Sequence, residues 1–158
     1  MDAFIGNIDA KIDSKGRAFV PATFRKVLQA AGETSLVLRK DTYKDCLVLY
    51  SEKVWREELS DLRARLNKWD EDEQHLFRQF SYSIASLELD SNGRILIPKK
   101  YLLMANILND VCFVGVDSTI ELWSPELLAK SILSYEDMKS QVKKLLGSKP
   151  AVEKVSEH

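Results

Sequence analysis

Apolar and polar residues alternate along two segments of the chain, residues 8–13 (Ile-Asp-Ala-Lys-Ile-Asp) and 85–90 (Ala-Ser-Leu-Glu-Leu-Asp). This alternation predicts half-buried strands, because successive side chains of a strand point to opposite faces. Each segment runs into an Asp-x-x-Gly turn, where the carboxylate can cap the turn and the glycine can take a positive φ. A second apolar strand follows each turn, at residues 17–20 and 94–97. The pattern therefore predicts two β-hairpins.

The two hairpins are copies of one unit. Asp13-Ser-Lys-Gly-Arg-Ala-Phe-Val-Pro21 recurs 77 positions later as Asp90-Ser-Asn-Gly-Arg-Ile-Leu-Ile-Pro98. Each proline opens a stretch with apolar residues at helical spacing, residues 21–32 and 98–109. The internal repeat implies that both halves of the chain fold in the same way.

A further pair of strands follows each predicted helix, at residues 35–39 with 46–50 and at residues 111–116 with 119–123. Tyr50 and Trp123 are only 73 positions apart, so we expect the loop between the strands of the first pair to be four residues longer. After each pair, Ser51 or Ser124 is placed to cap a helix. A separate helix begins in the acidic run at Asp70, which suits a helix N-terminus better than a metal site.

Each β-β-α-β-β repeat is too short to bury a sizeable core by itself. We therefore expect the two repeats to pair about a pseudo-two-fold axis, which closes a small barrel and removes edge strands. The predicted fold class is α+β and β-rich, a double-split β-barrel with flanking helices. The predicted segments are a first repeat with its helix (1–66), a connecting helix (67–84), a second repeat with its helix (85–146) and a flexible tail (147–158).

The composition is that of a globular protein, with 45% hydrophobic and 30% charged residues among 158. No apolar run reaches the ~20 residues of a membrane helix, and the first residues do not resemble a secretory signal, so we expect a cytoplasmic protein without membrane contact. Cys46 and Cys112 lie in apolar runs, which favours buried, reduced thiols over a disulfide.

The net charge of −1 conceals an uneven distribution. Residues 1–40 contain seven basic and four acidic side chains, whereas residues 51–90 contain six basic and ten acidic ones. A locally positive surface can face a phosphate backbone even when the whole molecule is slightly acidic. The charge distribution thus permits nucleic-acid binding without requiring it.

Two Asp-Ser-x-Gly segments could suggest the paired carboxylates of an aspartic protease. An arginine four residues after each aspartate opposes that assignment, because a nearby cation disfavours a proton shared between carboxylates. A serine–histidine site would need His75, on a charged helix, or His158, the last residue. There is no glycine-rich phosphate loop and no metal-ligand spacing. We therefore expect no catalytic residue, metal, cofactor or small-molecule substrate.

Arg17 is the strongest candidate for contact with DNA, because it follows the tip of a projecting hairpin. Arginine can bind guanine O6 and N7, or a phosphate, through two parallel hydrogen bonds. Lys15 adds a positive charge beside it, whereas the second hairpin has Asn92 at that place before Arg94. In the alternative interpretation, Arg17 only pairs with Asp13 of its own hairpin. Both interpretations hold if the aspartate orients the arginine.

These motifs resemble those of the MraZ family, one of the AbrB/MazE-like DNA binders with a swapped-hairpin barrel. The resemblance rests on Asp13-x-Lys-Gly-Arg17 and Asp90-x-x-Gly-Arg94, each followed by an apolar strand that ends in proline. It also includes Phe4-Ile-Gly6 before the first motif and Pro21-Ala-x-Phe-Arg25 after it. It covers roughly residues 4–146.

The resemblance implies a transcriptional regulator of the division and cell-wall gene cluster, which forms rings and binds short promoter repeats on double-stranded DNA in the nucleoid. It assigns DNA contact to the first motif, hence to Lys15 and Arg17, while Thr23 replaces a lysine frequent in the family. The expected DNA-binding set is completed by Lys11, Arg25 and, more weakly, Arg94. The expected turn residues are Asp13, Gly16, Asp90 and Gly93.

Two further expectations concern protein partners. Apolar residues on the helices after each repeat are expected to pack partly between subunits of a homo-oligomer: Trp55, Leu59, Leu62, Leu66, Trp123, Leu127 and Leu128. The alternative function is an antitoxin-like protein-binding module without its own operator, since related barrels in antitoxins bind toxin partners through extended tails.

Overall fold

The computed structural model describes residues 2–148. The first repeat contains β1 (Asn7–Lys11), β2 (Arg17–Phe19), α1 (Ala22–Ala30), β3 (Ser35–Lys40) and β4 (Leu47–Ser51). Helices α2 (Glu52–Arg65) and α3 (Glu71–Tyr82) come next. The second repeat contains β5 (Ile84–Glu88), β6 (Arg94–Leu96), α4 (Lys99–Met104), β7 (Asp110–Val116) and β8 (Thr119–Trp123), and α5 (Pro125–Ser131) and α6 (Tyr135–Ser148) follow. The predicted β-β-α-β-β order is confirmed in both repeats.

In each repeat, the two strands on either side of the Asp-x-x-Gly turn, predicted to form a β-hairpin, do not pair with each other. Each of them pairs with a strand of the other repeat instead. β1 is antiparallel to β7, β5 is antiparallel to β3, and the sheet runs in the order β1-β7-β8-β4-β3-β5. β2 and β6 pair with each other in a separate two-stranded ribbon. This exchange confirms the α+β fold with swapped hairpins. The strand ladder is a six-stranded sheet plus this ribbon rather than one continuous ring of strands.

The strand registers follow the pseudo-two-fold relation between the repeats. Leu49 pairs with Ile120 and Leu47 with Leu122, so β4 and β8 exchange at an offset of 73 residues. The strand pairs β1–β2 and β5–β6 are related by an offset of 77 residues. The offset between β3 and β7 is 75, because Leu38 pairs with Ala85 of β5 and Phe113 pairs with Ile8 of β1. Between the strand bounds, the β3–β4 loop spans six residues (41–46) and the β7–β8 loop spans two (117 and 118), so the expected difference of four residues is confirmed.

Helix α4 ends several residues before the predicted position 109. Asn106 has a φ of +55°, and the N–H of Ile107 donates to Leu102 O at 2.9 Å. In the first repeat, Gly32 has a φ of +70° and Glu33 N–H donates to Leu28 O at 2.9 Å. Asparagine is one of the few residues that tolerate this left-handed position. Asn106 thus replaces the helix-ending glycine of the first repeat.

The main core lies between the sheet, the ribbon and helices α1 and α4. It contains Phe4, Ile12, Ala18, Val20, Phe24, Leu28, Leu36, Leu38, Leu47, Leu49, Leu87, Ile95, Ile97, Tyr101, Leu102, Ala105, Ile107, Val111, Phe113, Ile120 and Leu122. Each helix starts immediately after the proline that ends its ribbon strand, with Pro21 and Pro98 in the cap positions. The ribbon strands and the helices that follow them are therefore held to one core.

A second apolar cluster joins β3 and β4 to helices α2 and α3. Trp55 stacks on Phe80 with ring centroids 6.3 Å apart and meets Tyr50 edge-on at 5.2 Å. Trp55 and Trp123 are both buried within the chain. These two residues are thus used internally, and the expectation that they pack between subunits loses its basis.

The predicted helix caps are confirmed. Ser51 Oγ accepts from Val54 N–H at 3.2 Å, and Ser124 Oγ accepts from Leu127 N–H at 3.1 Å. Asp70 accepts from Glu73 N–H at 3.1 Å, so the acidic run does begin a helix. Cys46 and Cys112 are free and buried, and burial raises the pKa of the Cys46 thiol to about 12.

The chain divides into two compact units, residues 1–128 and 129–158. The first unit contains both repeats. Of the predicted tail 147–158, residues 147 and 148 belong to α6, and residues 149–158 lie outside the described residues. No helix among residues 2–148 is both long and apolar enough to cross a membrane.

Candidate nucleic-acid interface

The two Asp-x-x-Gly-Arg turns have the same internal hydrogen bonds. In the first, Asp13 Oδ1 accepts the N–H groups of Lys15 at 2.9 Å and Arg17 at 2.8 Å, and Asp13 Oδ2 accepts Arg17 Nε at 2.8 Å. In the second, the corresponding bonds from Asn92 N–H, Arg94 N–H and Arg94 Nε to Asp90 are 2.8, 2.9 and 3.0 Å. The aspartate therefore pairs with the arginine in both copies.

These hydrogen bonds lower the pKa of both aspartates. The backbone N–H of Arg17 is the largest cause for Asp13, and the backbone N–H of Arg94 is the largest cause for Asp90. Each donor stabilises the ionised carboxylate that accepts it. Both turns are therefore closed by a charged aspartate at neutral pH.

Pairing through Nε leaves the outer edge of each guanidinium available. Within residues 2–148, the Nη atoms of Arg17 and Arg94 form no hydrogen bond. Both side chains are partly exposed, at 34% for Arg17 and 25% for Arg94. An arginine held at one nitrogen and open at the other two can bind guanine or phosphate with less loss of side-chain freedom.

The β2–β6 ribbon brings the two arginines to one surface. Arg17 lies opposite Leu96, and Arg94 lies opposite Phe19. The residues between them, Ala18 and Ile95, are buried. Because side chains alternate along a strand, both arginines lie on the outward face of the ribbon, about 7 Å apart along the strand direction.

The turns lie at opposite ends of this ribbon. Ile97 N–H donates to Gly16 O at 2.9 Å, and Val20 N–H donates to Gly93 O at 2.9 Å. Because each ribbon strand leads directly into a helix, α4 starts beside the first turn and α1 starts beside the second. The helix of each repeat is thus next to the hairpin of the other repeat.

Arg25 of helix α1 consequently lies at the second turn, although its sequence neighbours belong to the first repeat. A Cβ added to Gly93 would overlap Arg25 Nη1. At the first turn the equivalent position is Leu102, whose Cδ1 would be 3.8 Å from a Cβ on Gly16. The second turn therefore has an arginine beside it where the first has a leucine.

The first turn has lysines in place of that arginine. Lys15 and Lys99 line a depression of about 390 Å³ beside Asp13 and Gly16. Lys11, also expected in the DNA-binding set, pairs across the sheet with Asp110, whose carboxylate raises the pKa of Lys11. The structure thus places Lys15, Lys99 and Arg17 at one end of the ribbon, while Lys11 forms an exposed ion pair with Asp110.

Three residues at or beside this surface were missed by sequence reasoning. Phe19 is 57% exposed and Leu96 is 55% exposed, both on the outward face of the ribbon. They occupy alternate positions after the arginines, which is the only sequence signal for their outward orientation. Lys99 was also missed, because only the swapped pairing places it near the first turn. No group of three metal-ligating side chains occurs among residues 2–148.

Comparisons with known proteins agree with the motif resemblance. The family model described as "MraZ protein, putative antitoxin-like" matches residues 3–78 and 84–143. A Phocaeicola vulgatus protein named Transcriptional regulator MraZ is 51% identical over 150 residues, which is 95% of this chain and 97% of that protein. The protein of the same name from Bacteroides fragilis is 54% identical over 82% of each chain. The one from Cytophaga hutchinsonii is 35% identical over 84% of this chain and 87% of that protein.

Proposed function

Because the chain belongs to the MraZ family, we propose that it is a sequence-specific DNA-binding transcriptional regulator that acts in the cytoplasm at the nucleoid. The observation that carries this proposal is the shared orientation of Arg17 and Arg94. Each is tied to its own aspartate through Nε, lies on the outward face of one ribbon and has a free guanidinium edge. The names of the relatives support the regulatory role.

Each basic residue has its own part in this proposal. Arg17 contacts a base edge in the major groove, and Lys15 and Lys99 contact phosphate beside it. Arg94 and Arg25 form the corresponding pair at the other end of the ribbon. Lys11 contributes little, because its ammonium group already pairs with Asp110.

The proposed targets are short promoter repeats of the division and cell-wall gene cluster. One ribbon offers few contacts, so a single repeat is bound weakly, and linked subunits raise the effective concentration at neighbouring repeats. Repeats about 10 bp apart face the same side of the duplex. Shifting one repeat by half a turn should then weaken binding sharply, and unchanged affinity on that template would contradict linked binding.

We also propose that the protein is a ring-like homo-oligomer. The second unit exposes seven large apolar side chains within 15 residues: Ile132, Leu133, Tyr135, Met138, Val142, Leu145 and Leu146. Exposed apolar surface of this extent favours association, and a repeated head-to-tail contact can close into a ring. Multi-angle light scattering should show a multiple of 18.0 kDa, and a monomer at micromolar concentration would contradict the proposal.

The experiment that tests DNA binding starts from a random-sequence duplex pool. Intact protein should enrich one family of duplexes, and a gel shift should show that these outcompete unrelated DNA. A protein that enriches no sequence, or whose Arg17→Ala variant enriches the same duplexes equally well, is not the proposed regulator. The antitoxin-like alternative, a protein-binding module without its own operator, predicts that absence of enrichment.

A further inference from the structure

The outward face of the β2–β6 ribbon carries two large apolar side chains besides its two arginines. Phe19 and Leu96 are each more than half exposed, at 57% and 55%. Polar β-branched residues would suit an exposed strand position and would not leave apolar surface in water. The ribbon therefore keeps apolar surface at the centre of the surface proposed to meet DNA.

The register makes the four side chains one mixed surface. Phe19 lies directly opposite Arg94, and Leu96 lies directly opposite Arg17. The guanidinium carbon of Arg94 is 5.9 Å from the centre of the Phe19 ring. Arginine and apolar residue thus alternate across the ribbon, and a ligand that meets either arginine also meets the apolar residue opposite.

A two-stranded ribbon of this kind fits the major groove, which is about 12 Å wide, better than the minor groove, which is about 6 Å wide. The major groove has one apolar group on its base edges, the 5-methyl group of thymine. Its guanine edges offer O6 and N7, the acceptors that suit arginine. The alternation of cationic and apolar side chains on the ribbon therefore matches the chemistry of a groove that contains guanine and thymine.

We infer that Phe19 is a specificity-determining residue that packs on thymine 5-methyl groups in the major groove, with Leu96 in the equivalent place at the other end of the ribbon. This inference rests on the proposed function. The residues are related by the same 77-residue offset as the arginines, but their side chains differ in size and shape. The two ends of the ribbon are thus not equivalent, and each subunit binds its repeat in one preferred orientation.

The test uses a duplex enriched by the intact protein and the same duplex with deoxyuridine in place of thymine, which removes only the methyl groups. The intact protein should bind the deoxyuridine duplex about fourfold more weakly for each methyl group that is contacted. Phe19→Ala should bind the thymine duplex more weakly and lose the part of this discrimination that Phe19 provides, while the part that Leu96 provides remains. Tyr43→Ala, which removes an aromatic side chain that is 93% exposed in the β3–β4 loop, outside the ribbon, should discriminate like the intact protein.

Equal binding of both duplexes by the intact protein overturns the inference, as does full discrimination by Phe19→Ala. If Phe19→Ala does not fold by circular dichroism, Phe19→Leu takes its place and should show reduced discrimination. A Phe19→Ala protein that changes its mass in light scattering but still discriminates would place Phe19 in self-association instead, and would also overturn the inference. Failure of the proposed function differs from all of these, because then no duplex is enriched at all.

Discussion

The first and second turns have identical internal hydrogen bonds but acquire their positive charge in different ways. Lys15 lies within the first turn itself, whereas the second turn has Asn92 there and receives Arg25 from helix α1 of the other repeat. The charge along each segment therefore understates the positive charge near the second turn. The comparison teaches that in a swapped fold the surroundings of a motif come largely from the other repeat.

The largest expected effect is the loss of DNA binding in Arg17→Ala. One lost arginine contact costs about 1–3 kcal/mol, and an oligomer that engages several repeats incurs that cost in every subunit. Arg94→Ala should weaken binding less, because Arg25 lies beside the second turn whereas both Lys15 and Lys99 lie beside the first. Gel shift measures both variants, with circular dichroism and light scattering to show that fold and oligomer are retained. Loss of binding in Arg94→Ala alone would reverse the assignment of the two turns.

The turn glycines should differ in their effect on stability. Gly16 has a φ of +90°, and an added Cβ would lie 2.7 Å from the backbone carbonyl oxygen of Ile97. Gly93 has a φ of +84°, but the three atoms nearest to its added Cβ all belong to the Arg25 side chain, which can move. Gly16→Ala should lower the free energy of unfolding by about 2–4 kcal/mol, from backbone strain and crowding together. Gly93→Ala should lower it by about 1–2 kcal/mol. Urea denaturation measures both, and equal losses would contradict the difference in surroundings.

Arg25→Ala should reduce the affinity for DNA severalfold and lower the salt slope of binding by about 1, as expected for one lost phosphate contact. The matched control is Lys26→Ala, which removes the same charge from the next, exposed position of α1. Fluorescence anisotropy at several salt concentrations separates the two variants.

Adding Asn92→Lys to the Arg25→Ala variant should restore part of the lost affinity, because it gives the second turn the lysine of the first. If Lys26→Ala reduces affinity and salt slope as much as Arg25→Ala does, the position of Arg25 over Gly93 has no role in binding.

The smallest expected effect is a loss of both turns at acid pH. The pKa of Asp13 and of Asp90 is lowered from the ordinary value of 3.8 in the folded protein. Their contribution to stability is therefore complete above that value and is lost as the pH falls through the lower folded pKa. Carboxyl carbon shifts in an NMR titration should show both aspartates titrating below 3.8. A value above 3.8 for either one would mean that its turn is open in solution.

Much of the fold could be predicted from the sequence, because its signals are local. The alternation at residues 8–13 and 85–90, the Asp-x-x-Gly turns and the prolines at positions 21 and 98 all act on their own segments. The Asp13–Arg17 pair could be predicted for the same reason, because residues on either side of a tight turn must be close in space. The helix end at Asn106 was missed, because asparagine is a weaker stop signal than the glycine at position 32.

Only the tertiary structure decided which groups share the surface that we propose to face DNA. Lys99 reaches the first turn and Arg25 the second because β2 and β6 pair with each other across the repeats. Lys11 is paired with Asp110 because β1 joins β7. The sequence alone determined the repeats, the turns and the arginines, since these depend on local backbone preference and hydrophobic period. The charges that surround each arginine depend on strand pairings between residues some 70 to 100 positions apart in the chain. The burial of one common core selects those pairings.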